Sequence, residues 1–356
     1  MRPCSSDSGP SPSRLCAVHG FCEVTAVACA RSCTSQVPLL QRFFGRRSER
    51  LFIREVRLIT TQYPETVLEG LNLPECPRWF EAALYFSDIR RGRVYRLRDA
   101  HPPEILFETA GDFVGGLGFL EDGDLIAVLS KGRRIVRIDP EGAVEHADLS
   151  GLCRFVLNDM ISANGRAYVS QPGHDIWTSE QHGMPEPTEL LMADADGKAM
   201  IAAGQMMGPN GIAVSPDGKT LYVAESSAMR VSAFTIDRVS GVLSDQRVFA
   251  TLPDGAIPDG ICLDDSGAVW AAAPVSYNAG VVSSGPGVLR IDPQGRTTHR
   301  VPMQPGRRAL ACAFGGSDRS TLYICTVPDF EGSAAGSEGE GRIEKVTLDV
   351  VGAGSP

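Results

Sequence analysis

The sequence predicts an all-β chain folded as one six-bladed β-propeller with a metal site at its centre. Three observations predict this. A strand–turn–strand unit recurs six times, turn-forming residues are abundant throughout, and four of the six repeats carry an oxygen-bearing side chain at the same point. With 356 residues, 43% hydrophobic and 22% charged, the chain has material for a large core, and its 38 Gly and 24 Pro suit many short turns better than a helix bundle.

The repeat begins near residue 68. Its units are "CPRWFEAALYFSDI" from Cys76, "GLGFLEDGDLIAVLS" from Gly116, "NDMISANGRAYVS" from Asn158, "NGIAVSPDGKTLYVAES" from Asn210, "DGICLDDSGAVWAAAP" from Asp259 and "CAFGGSDRSTLYICT" from Cys312. Each reads as a short apolar strand, a tight turn and a second strand of β-branched and aromatic residues. The turns include Asp122-Gly123, Asn164-Gly165, Asp217-Gly218 and Ser266-Gly267. A third strand often follows, as in "RRIVRID" and "GVLRID", closed by Pro140-Glu141-Gly142 or Pro293-Gln294-Gly295. Starts 40 to 53 residues apart match the period of a propeller blade. A β-sandwich shares the short strands but does not predict a six-fold period. "EQHGMPEPTELLMADADGKAM", "TLPDGAIP", "PVSYNAGVVSSGPG" and "PDFEGSAAGSEGEGR" read as rim loops, one of them a candidate lid.

In a propeller the innermost strand of each blade lines the channel, so equivalent positions converge on the axis. At the start of that strand stand Glu75, Asn158, Asn210 and Asp259, while the other two repeats offer "VGGLGF" and "ALACAF". Two carboxylates and two amides make an oxygen-only set, suited to calcium, magnesium or manganese better than to zinc. Asn-Gly and Asp-Gly are also the commonest turn dipeptides, so "PNG" and "PDG" could be turns. Against that, each precedes its apolar strand, and a separate turn dipeptide follows the same strand.

The N-terminal part differs from the rest. Residues 1–55 read as a disordered leader or a mis-called start, and residues 56–356 as the propeller. "MRPCSSDSGPSPSR" is polar, "RFFGRRSER" is basic, and His19 and Glu23 interrupt the apolar run from Leu15 to Ala30 that a signal peptide would need. Five cysteines crowd this part; Cys76, Cys153, Cys262, Cys312 and Cys325 are scattered beside apolar residues and read as buried free thiols of a cytoplasmic rather than secreted or periplasmic protein. No stretch reaches the length of a membrane span. A formal charge of −9 excludes the basic footprint that nucleic acid or an anionic membrane requires, leaving a small molecule as partner. The expected state is a monomer or small homo-oligomer.

"LPECPRW" with "ALYFSDI", "NDMISANGRAYV", "GPNGIAVSPDGKTLYVAES" and "PDGICLDDSGAVW" resemble the blade motifs of the gluconolactonase/regucalcin (senescence marker protein) family over roughly residues 68–330. The resemblance implies a six-bladed propeller that opens lactones, a sugar lactone among the candidates, with one divalent metal. Calcium is the first choice, and zinc, manganese or magnesium are the others. It implies Glu75, Asn210 and Asp259 as metal ligands, and Asn158 against substrate or a metal-bound water. One position departs: many sugar-lactone hydrolases of the family carry an arginine two residues before the "ND" asparagine, where this chain has Val156. Arg154 is the nearest substitute, expected on the same strand face as Asn158.

The mechanism expected is polarisation of the carbonyl by the metal, with Asp259 as general base. His174 ("QPGHDIW") and His182 lie near the rim of the third blade, and His174 is a candidate substrate contact. Ser226 and Ser227 lack a nucleophile elbow. The rival readings are an aryl-ester or phosphotriester hydrolase on the same site, and a non-catalytic calcium- or small-molecule-binding propeller. A WD or kelch scaffold would show its own repeat signatures, and no repeat carries Trp-Asp.

Overall fold

The computed structural model describes residues 57–58, 63–177, 185–328 and 338–354. The predicted leader with its five cysteines, and His182, lie outside them.

Six antiparallel sheets follow one another along the chain. The first blade runs Pro74–Phe80, Ala83–Asp88, Arg93–Leu97 and Glu104–Glu108; the second runs Val114–Phe119, Leu125–Leu129, Arg134–Asp139 and Gly142–Asp148. The third comprises Met160–Ala163, Arg166–Val169, Pro187–Ala193 and Ala199–Met207, and the fourth Pro209–Val214, Thr220–Glu225, Arg230–Ile236 and Leu243–Thr251. In the fifth the inner strand is split into Ala256–Ile257 and Ile261–Leu263, both paired with Val269–Asn278, and Val281–Ile291 and Thr297–Val301 lie outside it. The pair Arg57–Leu58 adds to the outer edge of this blade in parallel.

The sixth blade has only three consecutive strands, Arg307–Gly315, Thr321–Pro328 and Gly341–Thr347, and its outermost strand is Glu65–Leu71 from the other end of the chain. Each inner strand packs on the inner strand of the next blade, and the sixth packs on the first. The expected six-fold ring is therefore closed.

The core is divided accordingly. Six separate apolar clusters each fill one interface between neighbouring blades. Aromatic pairs strengthen several: Phe80 stacks on Phe119 between the first and second blades at 4.0 Å, Trp270 meets Phe314 edge-on between the fifth and sixth at 5.4 Å, and Trp79 stacks on Tyr323 between the sixth and first at 5.5 Å. The strands alternate because one residue in two must face a neighbouring blade.

The hairpin turns fall where the dipeptides placed them, with Gly123, Gly165, Gly218 and Gly267 all at positive φ. Two rim loops were misread. Pro187–Ala193 and the last two residues of "EQHGMPEPTELLMADADGKAM" belong to strands of the third blade, and "PVSYNAGVVSSGPG" is a long hairpin turning at Ala279-Gly280. Cross-strand pairing of Ser276, Tyr277 and Asn278 with Ser283, Val282 and Val281 outweighs the local glycine content, and Pro274 sits where the register slips and no ladder donor is needed.

Candidate functional site

A β-bulge recurs in every inner strand at the channel position. Pairing with the second strand slips by one residue between Glu75 and Arg78, between Val114 and Leu117, between Pro209 and Ile212, and between Ala309 and Ala311. In the third blade Asn158 and Asp159 both bond to Ser170, and in the fifth Asp259 and Gly260 both bond to Ala272. An extra residue twists the strand and re-aims the side chain beside it. Here it turns one residue per blade to the axis: Glu75, Gly115, Asn158, Asn210, Asp259 and Leu310.

Asn210 lies inside its strand, and neither Gly211 nor Gly260 has a positive φ, so "PNG" and "PDG" are not turns. Their glycines serve close approach instead. A Cβ on Gly211 would lie 2.4 Å from the Asp259 carbonyl oxygen, one on Gly260 2.4 Å from Ala311 Cβ, and one on Gly116 2.1 Å from Met160 N. The inner strands can crowd the axis only because these positions lack side chains.

Glu75, Asn158, Asn210 and Asp259 are each half-buried between buried neighbours, as expected of side chains facing a narrow lumen. Asn158 Nδ2 donates to Asn210 Oδ1 at 2.8 Å, and Asn210 in turn bonds to Asp259. Burial first, and then the charge of Asp259, hold the Glu75 carboxyl well above the ordinary carboxylate range, although the Cys76 N–H donates to it. Burial and the nearby Asp159 push Asp259 up to about 7, against the opposing hydrogen bond from Asn210.

Sequence reasoning missed two residues here, Arg78 and Asp159. Arg78 Nη2 bonds Asp159 Oδ1 at 2.9 Å, with both side chains 6% exposed. Its Nε donates to Leu117 O at 3.1 Å and its Nη1 to Pro77 O at 2.9 Å, and it also bonds Met160 O. One guanidinium thus latches three blades together. The only available signal was the "ND" dipeptide, in which the aspartate went unread.

Arg78 is spent on its direct pair with Asp159, which leaves Glu75 and Asp259 as two acids in a low-dielectric lumen with no cation paired directly to either among the described ion pairs. That excess, with amide oxygens beside it, fits a divalent cation. Among the described residues no three His, Cys, Asp or Glu side chains gather to hold a metal, so a ligand set here consists of the two acids plus amides. A cavity of about 40 Å3 lies beside Arg78, Ile161, Ile212, Ile261, Cys312 and Phe314, with Ala353 and Gly354 lining it too.

The remaining candidates are not brought together with these four. Residues 154–157 form no strand, so the shared-face argument for Arg154 fails. Its side chain is 69% exposed and pairs with Glu186 on the rim at 2.5 Å. His174 is half-buried on the rim of the third blade, with Nδ1 3.2 Å from Pro172 O. Ser226 Oγ donates to Pro258 O at 2.7 Å, tying the fourth blade to the fifth. The five described cysteines are free thiols and four of them are buried; Cys262 and Cys312 Sγ lie 3.6 Å apart.

Comparison with known proteins adds to this geometry. Residues 73–328 match the family described as the SMP-30/gluconolactonase/LRE-like region. A pentonolactonase of Haloferax volcanii is 29% identical over 79% of this chain and 89% of its own length. A regucalcin of Sus scrofa is 32% identical over 73% of this chain and 85% of its own. Among solved structures, a gluconolactonase from Xanthomonas campestris superposes with a TM-score of 0.61 at 26% identity, covering 80% of this chain and 88% of that one.

Proposed function

The chain belongs to the SMP-30/gluconolactonase/LRE-like family, and from that premise we propose that it is a lactonase, a carboxylic ester hydrolase that opens a cyclic ester at the polar ring of the channel. The observation that carries this reading is the pair of acids with no directly paired cation among the described ion pairs, Glu75 and Asp259, beside the hydrogen-bonded amides of Asn158 and Asn210. Support also comes from the lactonase names of the relative and the structural neighbour above.

Glu75, Asn210 and Asp259 would hold one divalent cation. Calcium is the foremost candidate for an all-oxygen set, ahead of manganese, magnesium and zinc. When bound, such a cation supplies Lewis-acid polarisation of the lactone carbonyl.

The protein's own groups do the rest. Asp259 takes the proton of the water that attacks the carbonyl carbon and returns it to the ring oxygen as the C–O bond breaks, so that ring opening yields the hydroxy acid with one water consumed. Asn158, fixed by Asn210, orients the substrate above the ring. Glu75 and Asn210 sit inside strands, and the backbone N–H groups of Asn158 and Asp259 are tied to Ser170 and Ala272, so little ordering is left to the substrate.

The test is hydrolysis of a panel of γ- and δ-lactones, sugar and aliphatic, by wild type and Asp259→Ala, with metal removed and then restored as calcium, manganese, magnesium or zinc. Turnover requiring both the metal and Asp259 is the expected outcome. Tight metal binding with no turnover of any lactone would sink the hydrolase and leave a binding propeller, the second reading, which the regucalcin relative keeps open. Turnover of aryl esters or phosphotriesters alone would move the substrate class.

A further inference from the structure

The channel carries a second ring above the polar one. Two residues before each position of the polar ring, where the chain enters the inner strand, stand Leu73, Phe113, Val156, Gly208, Ile257 and Arg308. Matching hydrogen bonds establish the equivalence in three blades: Leu73 O accepts from Ile89 N, Phe113 O from Ser130 N, and Gly208 O from Ser226 N. Five of the six positions offer an apolar side chain or none. Arg308 is 7% exposed and has a contact of its own.

One sector of this collar is built up further. Leu73 and Leu310 belong to one apolar cluster, and Phe113 and Trp177 pack against it. Trp177 comes from the third blade but meets Phe113 of the second edge-on, with ring centroids 4.9 Å apart. Its indole N–H donates to Ser130 Oγ at 2.7 Å, and Ser130 Oγ donates to the carbonyl of Leu157, the neighbour of Asn158. Both aromatic rings keep part of their surface uncovered. The indole is therefore pinned beside the polar ring as a fixed apolar wall.

The geometry points to Trp177 as a specificity-determining residue that, with Phe113 and Leu310, selects a lactone bearing an alkyl or aryl substituent over one whose ring carries several hydroxyls. This rests on the lactone-opening reading above. A hydroxyl seated against the wall gives up water without a replacement partner, whereas an aryl group gains by leaving water and can pack edge-on or offset against the indole.

The experiment compares kcat/KM of the metal-loaded protein for γ-butyrolactone, γ-phenyl-γ-butyrolactone and glucono-δ-lactone in wild type, Trp177→Ala and Trp177→Phe. Wild type should prefer the phenyl lactone to both others by roughly tenfold or more, the scale of a filled apolar pocket. Trp177→Ala should lower the phenyl-to-unsubstituted ratio by about that factor, mainly through KM, and Trp177→Phe should restore most of it. An unchanged ratio in Trp177→Ala, or a wild-type preference for glucono-δ-lactone, overturns the proposal. Binding of 5-phenyl-2-pyrrolidinone against 2-pyrrolidinone, followed by titration calorimetry, separates the two readings if no lactone turns over. Tighter binding of the phenyl lactam that Trp177→Ala abolishes keeps the wall and removes the lactonase. Equal binding of both lactams removes the wall.

Discussion

Asp159 and Asp259 occupy the same kind of place, one bulge apart from being equivalent, and the protein treats them oppositely. Asp159 is 5% exposed and has a guanidinium within hydrogen-bond distance, itself tied to three backbone carbonyls. Asp259 faces the lumen with only an amide beside it and carries a raised pKa. A buried acid with its own cation is part of the scaffold; one without is poised for an external partner or a proton. The difference teaches that two acids of the same channel part company by charge compensation rather than by residue type: one carries its own guanidinium and the other does not.

The largest expected effect breaks the comparison on the functional side. Asp259→Asn should lower kcat at saturating calcium by about 10² to 10⁴, the range of a lost general base, and weaken calcium binding by calorimetry because one of the two charged ligands is gone. Full turnover in that variant would return Asp259 to the same class as Asp159. On the structural side, Arg78→Met strands Asp159 and should cost about 3–5 kcal/mol in urea unfolding, and adding Asp159→Leu should recover much of it. If the single variant unfolds like wild type, the latch is not what holds the first three blades at the axis.

Smaller effects sharpen the contrast. Gly260→Ala forces a Cβ against Ala311 and should cost about 1–3 kcal/mol while also lowering activity, because the displaced residue adjoins Asp259. The pH dependence of the metal-free protein follows from the raised acids. A carboxyl whose pKa rises on folding binds more protons in the folded than in the unfolded state, so stability is fully present below about pH 4 and is lost as pH climbs through the folded value. With Asp259 at about 7, the melting temperature in chelator should fall between about pH 4 and pH 7. Calcium should reverse the fall, and Asp259→Asn should flatten it; an identical slope in the variant would dismiss Asp259 as its source. The smallest effect concerns the rim: Arg154→Ala breaks an exposed pair with Glu186 and should change stability by under about 1 kcal/mol.

Much of this was legible in the sequence because blades repeat. A turn dipeptide such as Asp217-Gly218 encodes its own conformation locally, and six-fold recurrence turned Glu75, Asn158, Asn210 and Asp259 into one convergent set without any contact information. What repetition could not reveal were features joining different blades. Arg78 and Asp159 lie 81 residues apart and neither recurs in the other units. Trp177 gains its meaning from Phe113 and Ser130, in another blade. Arg154 departs from the same-face expectation because the chain is irregular over residues 154–157, and the hairpin through Tyr277 and Val282 departs from the expected loop because cross-strand pairing, invisible in local composition, outweighs its glycine, serine and proline content.

The strand Glu65–Leu71 completes a sheet whose other members end at Thr347. During synthesis the first five blades can form in order, but the sixth must wait until almost the whole chain is available, a loop closure spanning some 270 residues. Once that strand is seated, no blade can leave without opening the circle, so unfolding should be a single cooperative event with a slow rate, unlike the end-fraying of an open repeat array.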